Sequence, residues 1–213
     1  MSIKIVIINY GMGNLRSVIN AFNYHGISAK ISNDKDEISN ADGIVFPGVG
    51  GYQQAVQNLK ELNICDLLRK VVLDDGKPCM GICLGMQLFF ENSSEGAGSD
   101  GLGWIKGTVR KLEISNGDRL PHVGWNNIEI TKDAAILDSV DPDRHYYFDH
   151  SYGVICDENI VHAKTSYGGQ KIVALVNHDN IWGTQFHPEK SQAEGVLLYK
   201  NFADIVINSL KKC

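Results

Sequence analysis

The sequence lacks the features by which membrane, secreted and nucleic-acid-binding proteins are recognised. No run of about 18 or more apolar residues is present, so no membrane span is expected. The formal net charge of −5 argues against nucleic acid or an anionic membrane as the main partner. The first residues, MSIKIVIINYG, lack the cleavage site of a secretory signal and instead predict a first strand.

The cysteines do not have the spacing of a disulfide framework or a zinc site. No C-x-x-C motif occurs, and the number of cysteines is odd. They lie at scattered positions: Cys65, Cys79, Cys83, Cys156 and Cys213. This pattern is typical of reduced thiols, so we expect a cytoplasmic protein without a bound metal or cofactor.

Apolar runs and helical patterns alternate along the first half of the chain. The runs IKIVIIN, GIVFPG and PCMGI are typical of strands buried on both faces of a parallel sheet, and helical spacing follows Asn14 and recurs over about 53–73. This alternation predicts an α/β fold with an open, mostly parallel, twisted sheet and helices on both faces. From Gly101 short runs with a period near two predict a strand-rich second half, closed by an amphipathic helix. No linker or repeat interrupts the pattern, so residues 1–213 are expected to form a single domain.

A cysteine lies between two glycines at a predicted strand-to-helix junction. The segment Gly81-Ile82-Cys83-Leu84-Gly85 is the thiol form of the G-x-S-x-G nucleophile elbow. Such a turn strains the backbone of the nucleophile, and the helix that follows favours a thiolate through its N-terminal dipole. The backbone N–H of Leu84 would then point at an oxyanion on a substrate carbonyl. The alternative is a buried structural cysteine, the role that we assign to Cys79.

The segment TQFHPEKS supplies a base and a group to orient it. Pro188 favours an extended conformation at His187, and residues two apart in an extended segment project to the same side. Glu189 can then accept from one imidazole nitrogen while the other faces the thiol, as in an acyl-transfer triad. A surface histidine beside a solvated glutamate is the alternative for an isolated H-x-E motif.

Two glycine-containing loops follow predicted strands. The loop Pro47–Gly51 lies at the carboxyl edge of the sheet, where its free N–H groups can provide the second donor of an oxyanion hole, although for this loop in isolation a plain strand-to-helix turn is favoured. The loop GMGNLR has Arg16 where a dinucleotide-binding fingerprint needs its third glycine, so a nucleotide site is not favoured.

Taken together, GICLGMQLFFE and QFHPEKS resemble the class I, or triad, glutamine amidotransferases, which hydrolyse glutamine through a cysteine thioester. The further segments NYGMGNLRSV, FPGVG, PHVGWN and YYFDHSY resemble, in order and spacing, the glutaminase subunits of imidazole glycerol phosphate synthases. The resemblance implies Cys83 as nucleophile, His187 as base and Glu189 as its orienter. It also implies an oxyanion hole and a glutamine pocket, the first formed by Val49, Gly50 and Leu84 and the second by Gln87, Glu95, His150, Ser151 and Tyr152.

The resemblance further implies a heterodimer with a (βα)₈-barrel synthase, which receives ammonia through an internal channel and makes imidazole glycerol phosphate and AICAR in histidine biosynthesis. We expect the partner to dock near GMGNLR and PHVGWN, on Asn14, Arg16 and Trp125. Asp149 departs from the family, which has an aliphatic residue there, and GYQQ replaces an expected alanine-phenylalanine start after the glycine loop. These departures leave open a paralogous glutaminase that supplies ammonia to a surface-sugar amidotransferase, and other triad amidotransferases or a stand-alone hydrolase of the same fold also remain alternatives.

Overall fold

The computed structural model describes residues 3–115, 117–141 and 143–211, so Cys213 lies outside the described residues. One eight-stranded sheet runs in the order β2-β1-β3-β4-β14-β13-β12-β9, a four-stranded sheet in the order β11-β7-β5-β6, and β8 pairs with β10. The strands are β1 (Ile5–Ile8), β2 (Ala29–Ser32), β3 (Gly43–Phe46), β4 (Cys79–Ile82), β5 (Phe90–Ser93), β6 (Ser99–Asp100), β7 (Ile105–Lys111), β8 (His122–Asn127), β9 (Glu129–Ile130), β10 (His145–His150), β11 (Tyr152–Cys156), β12 (Val161–Tyr167), β13 (Gln170–His178) and β14 (Ile181–Thr184). The helices are α1 (Leu15–Tyr24), α2 (Lys35–Ser39), α3 (Tyr52–Glu61), α4 (Cys65–Arg69), a π-helix (Lys70–Asp74), α5 (Leu84–Gln87), α6 (Gln192–Leu210) and 3₁₀ turns at Ala135–Leu137, Glu158–Ile160 and Pro188–Lys190.

The large sheet is mostly parallel, as predicted. Strands β2, β1, β3, β4 and β14 all pair in parallel, whereas β13, β12 and β9 extend the sheet by antiparallel pairing. The predicted strand-rich second half is confirmed, because most of the chain from β7 to β14 is in strands. Among the described residues, no helix has the length and apolar character needed to cross a membrane.

Helices cover both faces of the parallel strands, because alternate strand residues point to opposite sides. Ile5 and Ile7 pack with α1 and α6, whereas Val6 and Ile8 pack with α3 and α4. The closing helix α6 buries an apolar stripe that includes Leu198, Phe202 and Val206, as its amphipathic pattern predicted. Asn14 caps α1 by accepting from the backbone N–H of Ser17 at 3.3 Å.

The ladder between β8 and β10 is the element outside the large sheet that matters most for the site. Its register places His150 opposite His122 and Tyr147 opposite Trp125. Because side chains alternate along a strand, His122 and His150 are buried, whereas Val123 and Trp125 are exposed on the other face. The ladder therefore connects an exposed apolar surface to the interior.

Candidate active site

The predicted nucleophile elbow is present at Cys83, between β4 and α5. Its φ of 52° and ψ of −110° lie in a strained region for a residue with a side chain, and such conformations cost about 1–3 kcal/mol. Both flanking glycines are required by close packing. A Cβ atom at Gly81 would lie 2.5 Å from the Phe89 ring, and one at Gly85 would lie 1.9 Å from the Phe46 carbonyl oxygen.

The helix behind Cys83 is shorter than the thiolate argument requires. Helix α5 covers only four residues, and the apolar segment that follows returns to extended structure in β5. A single turn of helix has only a small macrodipole, because few peptide dipoles are aligned in it. Cys83 does cap this helix, but with one turn behind the sulfur the expectation that a helix dipole favours the thiolate stays a prediction.

Strand β14 brings the base to the nucleophile. It pairs in parallel with β4, with Thr184 opposite Ile82, and the backbone N–H of Cys83 donates to the Thr184 carbonyl at 2.7 Å. His187 follows beyond the same strand end, and its Nδ1 lies 2.8 Å from Glu189 Oε1. The predicted pair forms, but the reason given for it was wrong, because Glu189 lies in a 3₁₀ turn and not in an extended segment.

His187 is buried and strongly influenced by its neighbours. Burial by itself lowers the pKa of His187, but the charge and hydrogen bonding of Cys83 and of Glu189 outweigh burial and raise the pKa to about 10. Its Nε2 atom is buried without a well-formed hydrogen bond, since the interaction with the Cys83 sulfur falls outside ideal geometry. This nitrogen is therefore free to move a proton at the sulfur or at a bound substrate.

Two side chains that the sequence analysis did not identify hold this pair in place. The Tyr199 hydroxyl lies 3.2 Å from Glu189 Oε2 and donates to it. The Ser191 hydroxyl donates to the His187 carbonyl at 2.6 Å and accepts from the Tyr147 backbone N–H at 2.9 Å. Ser191 belongs to the quoted TQFHPEKS segment, whereas Tyr199 lies one helix later and no local pattern marks it.

The predicted glycine-rich loop after β3 packs directly on the elbow. A Cβ atom at Gly48 would lie 2.6 Å from the backbone nitrogen of Gly85, so only glycine permits this approach. Gly50 has a φ of 109°, and Val49 remains 38% exposed. The Tyr10 hydroxyl donates to the Pro47 carbonyl at 2.6 Å, which ties the NYGMGN segment to this loop.

A cavity of about 240 Å³ opens beside Cys83. It is smaller than the ~300–1,000 Å³ of sites for drug-sized ligands, which suits a ligand the size of an amino acid. The cavity brings together all the predicted oxyanion and glutamine-pocket residues with the nucleophile, and Pro121 and Asp149 complete its lining: Val49, Gly50, Cys83, Leu84, Gln87, Glu95, Pro121, Asp149, His150, Ser151 and Tyr152. Glu95 also accepts from the backbone N–H of Tyr52 at 3.1 Å. The GYQQ segment, which differs from the family pattern, is therefore anchored to the cavity wall.

A chain of hydrogen bonds supports one wall of this cavity. His150 Nδ1 lies 2.8 Å from the Tyr152 carbonyl, which can only accept, so this nitrogen carries the proton. His150 Nε2 must then accept from His122 Nδ1 at 3.0 Å when both rings are neutral. Burial lowers the pKa of His150 to about 3 and that of His122 to about 4, so both rings are neutral at physiological pH. His150 is thus satisfied within the protein, and His122, from the PHVGWN segment, is a supporting residue that the sequence analysis did not single out.

The predicted docking residues lie on two separate elements. Asn14 and Arg16 are exposed at the start of α1, and Trp125 is 46% exposed on β8. The Trp125 ring lies 5.8 Å from the Tyr147 ring, which in turn lies 6.4 Å from the His187 ring, as measured between centroids. One aromatic ring, that of Tyr147, therefore lies between the exposed tryptophan and His187, the predicted base.

A family model described as glutamine amidotransferase class-I matches residues 6–205 of the chain. The chain belongs to the class I glutamine amidotransferases. It is 44% identical over 198 residues to the imidazole glycerol phosphate synthase subunit HisH 1 of Campylobacter jejuni strain RM1221, covering 93% of this chain and 98% of that protein. It is also 44% identical over 204 residues to the subunit HisH 2 of Vibrio vulnificus strain YJ016, covering 95% of each.

Solved structures agree on the fold. The structure of PurLQS from Thermotoga maritima matches with a TM-score of 0.72 and 18% identity, covering 99% of this chain and 100% of the matched one. As a class I glutamine amidotransferase, the chain is a glutaminase enzyme subunit. The predicted family and fold are both confirmed.

Proposed function

We propose that this chain is the glutaminase subunit of an imidazole glycerol phosphate synthase, in which Cys83, His187 and Glu189 hydrolyse L-glutamine. The observation that carries the proposal is that the strained Cys83 turn and the buried His187–Glu189 pair meet beside a cavity of amino-acid size. In that pair His187 Nδ1 lies 2.8 Å from Glu189 Oε1. Similarity to HisH subunits over nearly the whole chain supports the pathway.

In the first half of the reaction the Cys83 thiolate attacks the side-chain amide carbon of glutamine. The new sulfur–carbon bond displaces the carbonyl electrons onto oxygen, and their return breaks the carbon–nitrogen bond. Protonated His187 gives its Nε2 proton to the departing nitrogen, which leaves as ammonia. The raised pKa of His187 fits a ring that is charged before this step.

In the second half a water molecule replaces ammonia. Neutral His187 takes a proton from this water as it attacks the thioester carbon, and the sulfur leaves as the thiolate beside a recharged His187. Glutamate departs as its carboxylate, with the remaining proton passing to solvent. Glu189 holds the imidazole in one tautomer throughout, and Tyr199 holds Glu189.

The oxyanion formed in both halves lies between the elbow and the glycine-rich loop. The backbone N–H of Leu84 is one donor and that of Val49 or Gly50 is the second, since these residues line the cavity with Cys83. Gly48 and Gly50 allow the Val49 peptide to rotate at little steric cost, so the second donor can be absent at rest. Removing one donor typically costs about 10²–10³ in rate.

The remaining cavity residues hold the amino-acid part of glutamine. The Glu95 carboxylate is suited to the α-ammonium group, because only one of its oxygens is engaged by Tyr52. Ser151 and Tyr152 offer backbone groups, and Gln87 and His150 fix that wall through the Tyr152 carbonyl. Asp149 lines the cavity, where the related subunits are expected to have an aliphatic residue, and its backbone carbonyl lies 3.9 Å from Cys83 Sγ.

The partner in this proposal is a (βα)₈-barrel synthase that receives ammonia through an internal channel in the cytoplasm. It would dock on Asn14, Arg16 and Trp125. The Trp125 ring packs against the Tyr147 ring, and the Lys190 ammonium lies 5.0 Å from the centroid of that Tyr147 ring. The names of the relatives support this acceptor over the surface-sugar alternative. Incubating the chain with each class of synthase and its ligand distinguishes them, since the cognate partner alone should stimulate glutamine hydrolysis.

The direct test of the glutaminase proposal is Cys83→Ala in the complex. Hydrolysis of glutamine should be abolished, whereas synthesis from added ammonia should be retained, because the barrel chemistry does not need the thiol. A glutamine-like diazoketone should label Cys83 and spare the other cysteines. Cys65→Ala, at a partly exposed site, is the matched control. Glutaminase activity within tenfold of the original chain would refute the triad.

The docking proposal is tested by Trp125→Ala. Stimulation of glutamine hydrolysis by the liganded barrel should fall, while the low activity of the isolated chain stays the same. Tyr24→Ala is the control, since Tyr24 is 75% exposed at the opposite end of α1 from Asn14. Full activity without a partner, unchanged by Trp125→Ala, would refute both the gating and the docking surface.

A further inference from the structure

Gln185 contacts the nucleophile, although neither the triad nor the predicted pocket includes it. It lies directly after β14 and is fully buried, with 0% exposure. Its side-chain Nε2 lies 3.5 Å from Cys83 Sγ, and its backbone N–H donates to the Ala174 carbonyl at 2.9 Å. A buried amide is costly to leave without hydrogen-bond partners. Its partners therefore determine which end of the Gln185 amide faces the sulfur.

The hydrogen-bond network fixes which end of the Gln185 amide faces the sulfur. The Tyr152 carbonyl can only accept, so the Gln87 atom at 2.9 Å from it must be the amide nitrogen. That same nitrogen lies 3.1 Å from the inner end of Gln185, which must therefore be the acceptor oxygen Oε1. The opposite end, which faces Cys83, is consequently the N–H donor.

We propose that Gln185 is a further catalytic residue, a fixed N–H donor that stabilises the thiolate form of Cys83. A thiol sulfur is a weak acceptor, whereas a thiolate is a strong one, so this donor favours the ionised state. Of the sulfur's other polar neighbours, the charged His187 ring also favours the thiolate, whereas the Asp149 carbonyl at 3.9 Å accepts only and favours the thiol. Gln185 adds to the stabilisation that His187 and the single-turn helix α5 give the thiolate.

The same contact acts twice in the reaction. It stabilises the attacking thiolate, and it stabilises the sulfur again when the thioester breaks and the thiolate departs. Because Gln87 and the Tyr152 carbonyl hold the amide, the donor is in place before substrate binds, which is what effective electrostatic catalysis requires. The inference rests on the proposed thiolate chemistry, but alkylation of Cys83 can be measured without glutamine and without the partner.

The experiment measures alkylation of Cys83 by iodoacetamide across a pH series in the full chain, with the modified peptide quantified by mass spectrometry. Gln185→Met keeps the volume but removes the donor. Its alkylation at neutral pH should be about ten- to a hundredfold slower, and the midpoint of the pH profile should move upward by about one unit or more. Gln57→Met, at an exposed position on α3, should leave the profile unchanged.

A second variant keeps the test decisive if Gln185→Met folds poorly. Gln185→Glu preserves both the size and the acceptor for Gln87, but its ionised carboxylate cannot donate and repels a thiolate. Alkylation of this variant should fall progressively below that of the original chain as the pH rises. A profile unchanged in both variants would overturn the catalytic role of Gln185 and leave the triad intact, whereas the Cys83→Ala result tests the triad itself.

Discussion

Two walls of the candidate active site contain buried histidines, and the surroundings shift the pKa values of His187 and His150 in opposite directions. The charged wall consists of Cys83, His187, Glu189 and Tyr199, and the neutral wall of Gln87, His122, His150 and Tyr152. His187 is 1% exposed and its pKa is raised to about 10, against the effect of burial, by Cys83 and Glu189. His150 is 6% exposed, and burial lowers its pKa to about 3.

The comparison shows that burial alone does not set the charge of a histidine. Burial disfavours the cation in both walls, so the difference comes from their partners. His187 has a carboxylate and a sulfur beside it, whereas His150 has a carbonyl and a second neutral ring. In the proposed mechanism the charged wall therefore moves protons, and the neutral wall holds its shape.

The largest effect should follow from breaking the charged wall at its base. His187→Ala removes the group that is proposed to protonate the leaving nitrogen, so kcat/KM for glutamine should fall by about 10⁴-fold or more. The assay is glutamine hydrolysis with the liganded partner present. His178→Ala, at a partly exposed histidine near Asp179, should be unaffected. A loss below tenfold would remove His187 from the mechanism.

Glu189→Gln should weaken the same wall less. The amide keeps the size of the side chain but loses the anion that orients and stabilises imidazolium, so a loss of about 10³-fold in kcat/KM is expected. The control is Glu61→Gln, an exposed position on α3. Losses equal to those of His187→Ala would argue against an orienting role.

The neutral wall should make the stability of the protein depend on pH in the acidic range. The folded pKa of His122, about 4, lies below its ordinary value of 6.5, so the unfolded chain binds more protons between these two values. The free energy of unfolding should therefore fall as the pH drops from about 6.5 towards 4, by at most about 3 kcal/mol from this group. His122→Phe should lose less stability over that interval in urea titrations. An identical acid slope in the variant would contradict the neutral pair.

The smallest expected effect is kinetic and comes from the same variant. His122 stacks between Phe148 and Tyr167, with centroids at 4.7 and 4.0 Å, and phenylalanine preserves that packing. It cannot donate to His150, which loosens the Tyr152 wall, so KM for glutamine should rise about tenfold with kcat changed little. Tyr167→Phe is the matched control. A fall in kcat at constant KM would place His122 in the chemistry instead.

Much of the charged wall could be predicted from the sequence because its constraints are local. Glycines at Gly81 and Gly85 mark the elbow, and His187 and Glu189 are only two residues apart, so the pair forms even though a 3₁₀ turn replaces the predicted extended segment. The parallel strands were equally readable, since solid apolar runs such as IVII of β1 need burial on both faces.

The supporting contacts could not be predicted, because they depend on pairing between distant segments. His122 meets His150 only through the register of β8 on β10, and Gln185 reaches Cys83 only because β14 lies beside β4. The end of α5 after one turn reflects the pairing of Phe90 with Ile105 in the small sheet, which a local helical pattern does not record. Which end of an amide faces the sulfur depends on a network of three residues.

The most direct measurement is nuclear magnetic resonance of the chain labelled with ¹⁵N-histidine, titrated from acid to alkaline pH. His187→Asn and His150→Gln assign the two signals. The account predicts that His187 stays doubly protonated from neutral pH up to about 10, whereas His150 stays neutral, with its proton on Nδ1, down to about 3. A neutral His187 at neutral pH, or two histidines that titrate together near their ordinary pKa, would contradict it.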